Sequence, residues 1–233
     1  MNHSGIGLLD CTLRDGAYCL DKKFGNAFIS GIIRGLVQVG IEFIEVGFFQ
    51  DEGFGDGKTV FLNSADVMRF IPPDKKKSKF AVLADCSRYS VKNLDERRLD
   101  SIDIIRECFF KNEKKKALSN ALDMKKKGYD VFIQPVNILG YTDRELLDLM
   151  DGVNEISPYC FSIVDTFGSM YHEDLHRIFE LVNHNLVPSC RMGFHSHNNM
   201  QLSSSLSQEF IRLTSSSGRG SIVDSTLSGM FRF

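Results

Sequence analysis

The sequence predicts an α/β protein built as one (β/α)8 barrel domain over residues 1–233, with the last of its helices missing. Two observations lead there. Short apolar runs alternate with segments of helical periodicity, and eight strand-and-helix units can be counted along the chain. Polar residues then recur where those strands end, at Arg14-Asp15, Glu45, Asp85, Asp165-Thr166, His195 with His197, and Asp224, and the strand ends of such a barrel form its catalytic rim. A doubly wound sheet would alternate in the same way. The chain carries neither a GxGxxG turn nor a GxxxxGK[ST] loop, so that arrangement ranks second.

The elements follow in order. Ile6, Leu8 and Leu9 begin a buried strand that gives way to Arg14-Asp15-Gly16, and a polar loop leads to a helix over 26–39 carrying Phe28, Ile32, Ile33, Leu36 and Val37, closed by Gly40. Residues 41–47 alternate apolar and acidic and break at Gly47, which predicts a second strand with Glu45 near its end. A glycine-rich loop and a short helical segment over 59–70 precede strands at 79–85 and 101–106. A lysine-rich helix over 113–127 is closed by Gly128, and a strand at 130–135 follows. Thr142 with Glu145 has capping-box spacing before a helix whose buried stripe is Leu146, Leu147, Met150 and Val153. A strand over 159–166 leads to a helix over 172–185 with Leu175, Ile178, Phe179 and Val182 on one face. The strand carrying His195, a helix near 200–214 and a strand over 220–226 complete the pattern.

Composition narrows the function. A net charge of −2 is too balanced for a nucleic-acid binder, and the lysine runs at 75–77, 114–116 and 125–127 read as solvated loops and helix ends. Six scattered cysteines without a CxxC pair fit a reducing cytoplasm. No apolar run approaches the roughly 20 residues of a membrane span, and the first strand begins too close to Met1 for a signal peptide. The expectation is a cytoplasmic protein with a small-molecule substrate, assembled as a homo-oligomer, with no nucleic-acid or membrane partner.

The chemistry rests on two stretches. Leu8-Leu9-Asp10-Cys11-Thr12-Leu13-Arg14-Asp15-Gly16 ends an apolar run in a cation beside an anion, placed where charges must be exposed or used. In Met192-Gly193-Phe194-His195-Ser196-His197-Asn198-Asn199 the two histidines stand at i and i+2, so on a strand both imidazoles face one point. Two imidazoles and a carboxylate suit a divalent ion with positions left open for substrate and water. A histidine pair alone is more often structural, and it is the conjunction with Arg14-Asp15 that points to a metal-dependent enzyme. Asp85, Asp165 and Asp224 are expected to cap the following helices. Asp10 and Cys11 are expected to pack and support, and His3, His172, His176 and His184 to lie at the surface.

Asp10-Cys11-Thr12-Leu13-Arg14-Asp15-Gly16 together with His195-Ser196-His197 resembles the metal-dependent aldolase and lyase superfamily of 3-hydroxy-3-methylglutaryl-CoA lyase, 2-isopropylmalate and homocitrate synthases, and 4-hydroxy-2-oxovalerate aldolase, the aldolase catalytic domain most of all. The resemblance implies a (β/α)8 barrel holding a divalent ion, Mn2+ or Mg2+ with Zn2+ admissible, that makes or breaks a carbon–carbon bond beside a carbonyl. It implies Asp15, His195 and His197 as metal ligands, Arg14 as the group that stabilises enolate charge and binds substrate, Glu45 as the acidic residue of the second strand, and Thr166 as a hydroxyl against the substrate carboxylate. Where the aldolases carry a histidine base shortly after Arg-Asp-Gly this chain has Tyr18, whose pKa of ~10 suits a base poorly at neutral pH. Relatives continue beyond the last strand with a glycine-rich loop and a helix, whereas this chain ends at Ser228-Gly229-Met230-Phe231-Arg232-Phe233. The resulting expectation is an aldolase-type lyase acting on a 2-oxo acid or its aldol adduct. A Claisen-type acyl-CoA condensing synthase and a truncated, inactive metal-binding barrel remain as alternatives.

Overall fold

The computed structural model describes residues 5–227 and shows a (β/α)8 barrel. Its strands are β1 (Ile6–Asp10), β2 (Phe43–Phe49), β3 (Val60–Phe61), β4 (Lys79–Asp85), β5 (Ile104–Phe109), β6 (Asp130–Pro135), β7 (Cys160–Asp165), β8 (Arg191–Ser196) and β9 (Ser221–Ser225). They pair in parallel in the order β1-β9-β8-β7-β6-β5-β4-β2, and a further β1–β2 pairing closes the ring. The two-residue β3 lies beside β2 outside that ring. The helices are α1 (Thr12–Asp15), α2 (Asn26–Val39), α3 (Ser64–Val67), α4 (Lys114–Lys126), α5 (Asp143–Ile156), α6 (His172–Asn185) and α7 (Ser203–Ser216). Among the described residues no helix follows β9, and Ile6 and Leu8 on the outer side of β1 are 57% and 42% exposed. The final segment Ser228–Phe233 and His3 lie outside the described residues. No helix among them is long and apolar enough to cross a membrane.

Period-two alternation sorts the strands into two cores. Outward residues such as Ile44, Val82, Ile105, Val131, Phe161 and Phe194 pack under the helices. Inward residues near the strand starts, Leu9, Phe43, Ala81, Ile104, Phe132, Cys160 and Ile222, fill the lower barrel. Two residues further along, the inward positions of five strands change character to Glu45, Arg106, Gln134, Ser162 and Asp224. A dry apolar floor therefore supports a polar layer directly beneath the rim.

Several local expectations shift. Strand β2 does not break at Gly47 but runs on to Phe49 with an irregularity in its pairing with β4, and Gly47 at φ +147° is needed because a Cβ there would lie 2.2 Å from the Thr59 carbonyl oxygen. The predicted helical segment over 59–70 instead holds β3, α3 and a tight turn over 68–70, with Asn63 capping α3 by accepting from Asp66 N. The strand predicted over 101–106 starts at Ile104, because Asp103 is tied to Phe80 N, Arg97 and Lys75 before the ladder begins. Phe28 leaves the buried stripe of α2 to stack on Phe24, and Ile29 replaces it. In α5 the stripe takes Leu149 instead of Leu147, below the capping box that Thr142 and Glu145 form as predicted.

Candidate active site

At the rim, the end of β1 is turned inward by its own side chain. Asp10 accepts from Thr12 N and Thr12 Oγ1, both at 3.0 Å, and folds the chain into the single turn α1. Arg14 and Asp15 thus stand on this turn rather than on the strand itself, and both are buried. Arg14 donates through Nε to Glu45 Oε2 at 2.6 Å and through Nη1 to Asp15 Oδ1 at 2.7 Å. Glu45 Oε2 also faces Arg106 Nη1 at 2.9 Å, Arg106 donates to Asp224, and Asp224 Oδ2 meets His195 Nδ1 at 2.7 Å. Five strand ends are joined in one chain of alternating charge, from Asp15 through Arg14, Glu45, Arg106 and Asp224 to His195. Gln134 completes it with its amide oxygen turned to Ser162 Oγ and to the Arg106 guanidinium at 3.2 and 3.3 Å.

The hydrogen bonds also fix both imidazoles. His195 directs Nδ1 at the Asp224 carboxylate and His197 directs Nδ1 at the Asp165 carbonyl at 3.0 Å, so each ring carries its proton on Nδ1 and its lone pair on Nε2. His197 Nε2 then lies 3.8 Å from Asp15 Oδ2, a lone pair against a carboxylate, which is favourable only with a cation between them. Donor atoms of Asp15, His195 and His197 all lie within 4.8 Å of one another. Burial, and after it the neighbouring His195, lowers the His197 pKa and keeps it in the neutral, ligating form. Burial alone would raise the Asp15 carboxyl, but the Arg14 guanidinium beside it holds it below its ordinary range, ionised. The same contest places Asp224 at about 2, with Arg106 the main charge outweighing burial. The buried layer holds the carboxylates of Asp15, Glu45 and Asp224 against the guanidiniums of Arg14 and Arg106, a deficit of positive charge that a divalent ion would remove. A second trio of similar closeness, Cys11, His195 and Asp224, is not ready for an ion: burial keeps Cys11 a thiol, bonded to the Ser225 carbonyl, and Asp224 is taken by Arg106.

Arg14, Asp15, His195 and His197 line a cavity of about 360 Å³ whose lining also includes Tyr18 and Thr166. Tyr18 sits edge-on to Phe48 at 5.5 Å, and burial raises its pKa further. Thr166 Oγ1 accepts from Asn137 N at 2.7 Å. Glu45 does not line the cavity; it is fully buried behind Arg14 and fixes it. The expectation that Asp224 caps a helix is corrected, since its carboxylate is spent on Arg106 and His195. Asp165 and Asp85 close turns rather than helices, by accepting from Ser169 N and Met170 N and from Ser87 N and Oγ. Sequence reading missed Arg106, Asp224 and Gln134 as members of the site. The available signal was an inward polar residue two positions beyond an inward apolar one on each strand.

A family model described as HMGL-like matches residues 5–207. Among curated proteins, a 4-hydroxy-2-oxovalerate aldolase of Geobacillus genomosp. 3 is 25% identical over 212 residues, covering 87% of this chain and 60% of that protein. An oxaloacetate decarboxylase of Mycobacterium tuberculosis is 22% identical over 196 residues, covering 84% and 57%. The chain therefore spans less than two thirds of the length of these curated relatives. Among solved structures, the N-terminal domain of a Bacteroides vulgatus protein with a provisional aldolase assignment superposes with a TM-score of 0.80 at 22% identity, covering 97% of this chain and 74% of that one. Hydroxymethylglutaryl-CoA lyase from Pseudomonas aeruginosa superposes with a TM-score of 0.70 at 15% identity, covering 97% and 77%. At these identities the structural likeness speaks for the fold alone.

Proposed function

Since the chain belongs to the HMGL-like family of metal-dependent aldolases and lyases, we propose that it is a divalent-metal-dependent carbon–carbon lyase of aldolase type, acting on a 2-oxo acid or its aldol adduct. The observation that carries this reading is the trio of Asp15, His195 and His197, with both imidazole tautomers set by Asp224 and Asp165, beside a guanidinium clamped between two carboxylates. The names of the two curated relatives, one an aldolase and one a decarboxylase, support 2-oxo acid chemistry.

Asp15, His195 and His197 would hold the ion, Mn2+ or Mg2+ before Zn2+, through one carboxylate oxygen and two Nε2 atoms. When bound, it supplies Lewis-acid polarisation of the 2-oxo group. Cleavage of the adduct leaves electron density on the former carbonyl oxygen, and Arg14 meets that charge in a fixed orientation because Glu45 and Asp15 hold two of its nitrogens. A lysine there would lack the planar fork needed to face a carboxylate and a carbonyl together. Thr166, its oxygen already accepting from Asn137 N, has its hydroxyl proton to give to the substrate carboxylate. Cleavage also requires a base to take the hydroxyl proton of the adduct as the carbon–carbon bond breaks, and Tyr18, whose raised pKa keeps its phenolic proton in place at neutral pH, is not that base but a hydrogen-bonding group of the cavity wall. The buried apolar floor of the barrel excludes water from below.

The reading is tested by metal analysis of the purified protein combined with pyruvate release from a panel of 4-hydroxy-2-oxo acids, with and without chelator. We expect His195→Ala to lose both the bound ion and turnover, by at least about a thousandfold in the latter. Full activity in that variant removes the assignment. Consumption of acetyl-CoA with a 2-oxo acid would instead identify a condensing synthase, and an ion held without turnover of any adduct an inactive barrel.

A further inference from the structure

The cavity lining carries further polar groups. Arg88 belongs to it, and so do Gln50 and Phe48, against which Lys22 is fixed: Nζ donates to Gln50 Oε1 at 3.0 Å and lies 4.8 Å over the Phe48 ring. The carboxylate next to Lys22 in sequence offsets it only in part, since Asp21 has 98% of its side chain exposed and faces Lys58 at 3.8 Å. Among the described residues Arg88 makes its ion pair with Asp85, at 3.8 Å, and Asp85 is already engaged by Ser87 N and Oγ. Partial burial, and after it the charge of Arg88, pulls the Lys22 pKa down, so the two cations are close enough to repel.

The backbone supports this placement at a cost. Asp21 and Lys22 are successive non-glycine residues in the left-handed region, at φ +48° and +60°. They are held there by Lys22 N donating to the Ala17 carbonyl at 2.8 Å and by Thr59 N donating to the Lys22 carbonyl at 2.9 Å. Strain of this kind persists where the surrounding structure enforces it, commonly at sites that bind or react. The lining of the same cavity also includes the apolar side chains Phe48, Leu83 and Phe110.

We propose that Lys22 and Arg88 form a second anion subsite and that the substrate is a 2-oxo acid adduct whose far half ends in a carboxylate, a dicarboxylate overall. Lys22 and Arg88 against Asp85 leave one positive charge, which matches a carboxylate and not a doubly charged phosphate. The inference rests on the reading of Arg14, Asp15, His195 and His197 as the end that takes the 2-oxo acid.

The test compares two unreactive five-carbon ligands that differ only at the far end, 2-oxoglutarate and 2-oxovalerate, titrated calorimetrically into the Mn2+-loaded protein at low salt. Native protein is expected to bind 2-oxoglutarate about tenfold or more tightly than 2-oxovalerate. In Lys22→Met and in Arg88→Gln this ratio is expected to fall below about threefold, while Lys22→Arg keeps it. Equal binding of the two ligands by native protein overturns the subsite and leaves the 2-oxo acid reading standing. A preference that survives in both neutral variants overturns the assignment to these residues. Failure of both ligands to bind overturns this inference together with the reading it rests on.

Discussion

Arg106 has no exposed surface, and its guanidinium lies between Glu45 and Asp224 inside the barrel. A buried cation is tolerable only when it is paired, and here its two carboxylate partners do more than neutralise it. Through Asp224 it sets the tautomer of His195, and through Glu45 it shares the clamp on Arg14, so one residue touching neither ion nor cavity orients groups of both kinds. Arg106→Met removes the cation shared by Glu45 and Asp224, leaving Glu45 to Arg14 alone and Asp224 to His195 alone. We expect a loss of about 3–5 kcal/mol in unfolding free energy, measured by urea denaturation, together with weakened metal binding. A variant as stable as the native chain would show that the layer is not coupled in this way.

At the scale of the element, the loop after β7 and the outer face of β5 carry separate constraints. Gly168 sits at φ +60°, where a Cβ would lie 2.6 Å from Asn199 N and 2.8 Å from the His197 carbonyl oxygen. Both are backbone atoms, so Gly168→Ala must push the His197 segment away from Asp165. Metal affinity measured by calorimetry is expected to drop about tenfold or more, with a stability loss of about 1–2 kcal/mol. On β5, Glu107 points outward under α4, where Asn120 Nδ2 donates to one carboxyl oxygen at 2.9 Å and the other oxygen has no hydrogen-bond partner among the described residues. Burial raises its pKa from 4.5 to about 8. Below about pH 4.5 folded and unfolded chains both hold this proton. From there to about pH 8 the unfolded chain releases it and the folded chain keeps it, so stability falls as pH rises and levels off above that window. Glu107→Gln is expected to flatten that slope and to exceed the native chain at pH 8 by about 2–4 kcal/mol. An unchanged slope in denaturation experiments from pH 4 to 9 would remove Glu107 as its source.

At the scale of the whole molecule, the ring closes where β1 meets β9 and β2, and the proposed metal ligands Asp15, His195 and His197 span that closure. Asp15 follows β1, while His195 and His197 come from β8 and the loop beyond it. A bound ion would tie the two ends of the described chain together and relieve the negative excess of the buried layer. Thermal unfolding with saturating Mn2+ and with chelator is therefore expected to differ by about 2.7 kcal/mol at an ion concentration a hundred times the dissociation constant. An identical transition under both conditions would show that the trio binds no ion in the folded state.

Local alternation was enough to read much of this molecule from its residues. An apolar run ending in Arg14-Asp15, an acidic strand around Glu45, and histidines two apart on a strand each report on their own neighbourhood, and the repeated strand-and-helix period carries the barrel. What stayed hidden depends on register around a closed ring. Reading 101–106 as a strand put Arg106 at its end, and Asp224 read as a helix cap, yet the two meet across 118 positions of chain once β5 starts at Ile104 and β9 closes against β1. Lys22 was hidden for a related reason, because only the left-handed turn at 21–22 brings it against Phe48 and Gln50. The sequence by itself determined which stretches form strands and which of them turn polar toward their ends, since side-chain period is a local property. Only the tertiary structure decided which of those ends face one another, because strand stagger and ring closure are set by the packing of the whole barrel.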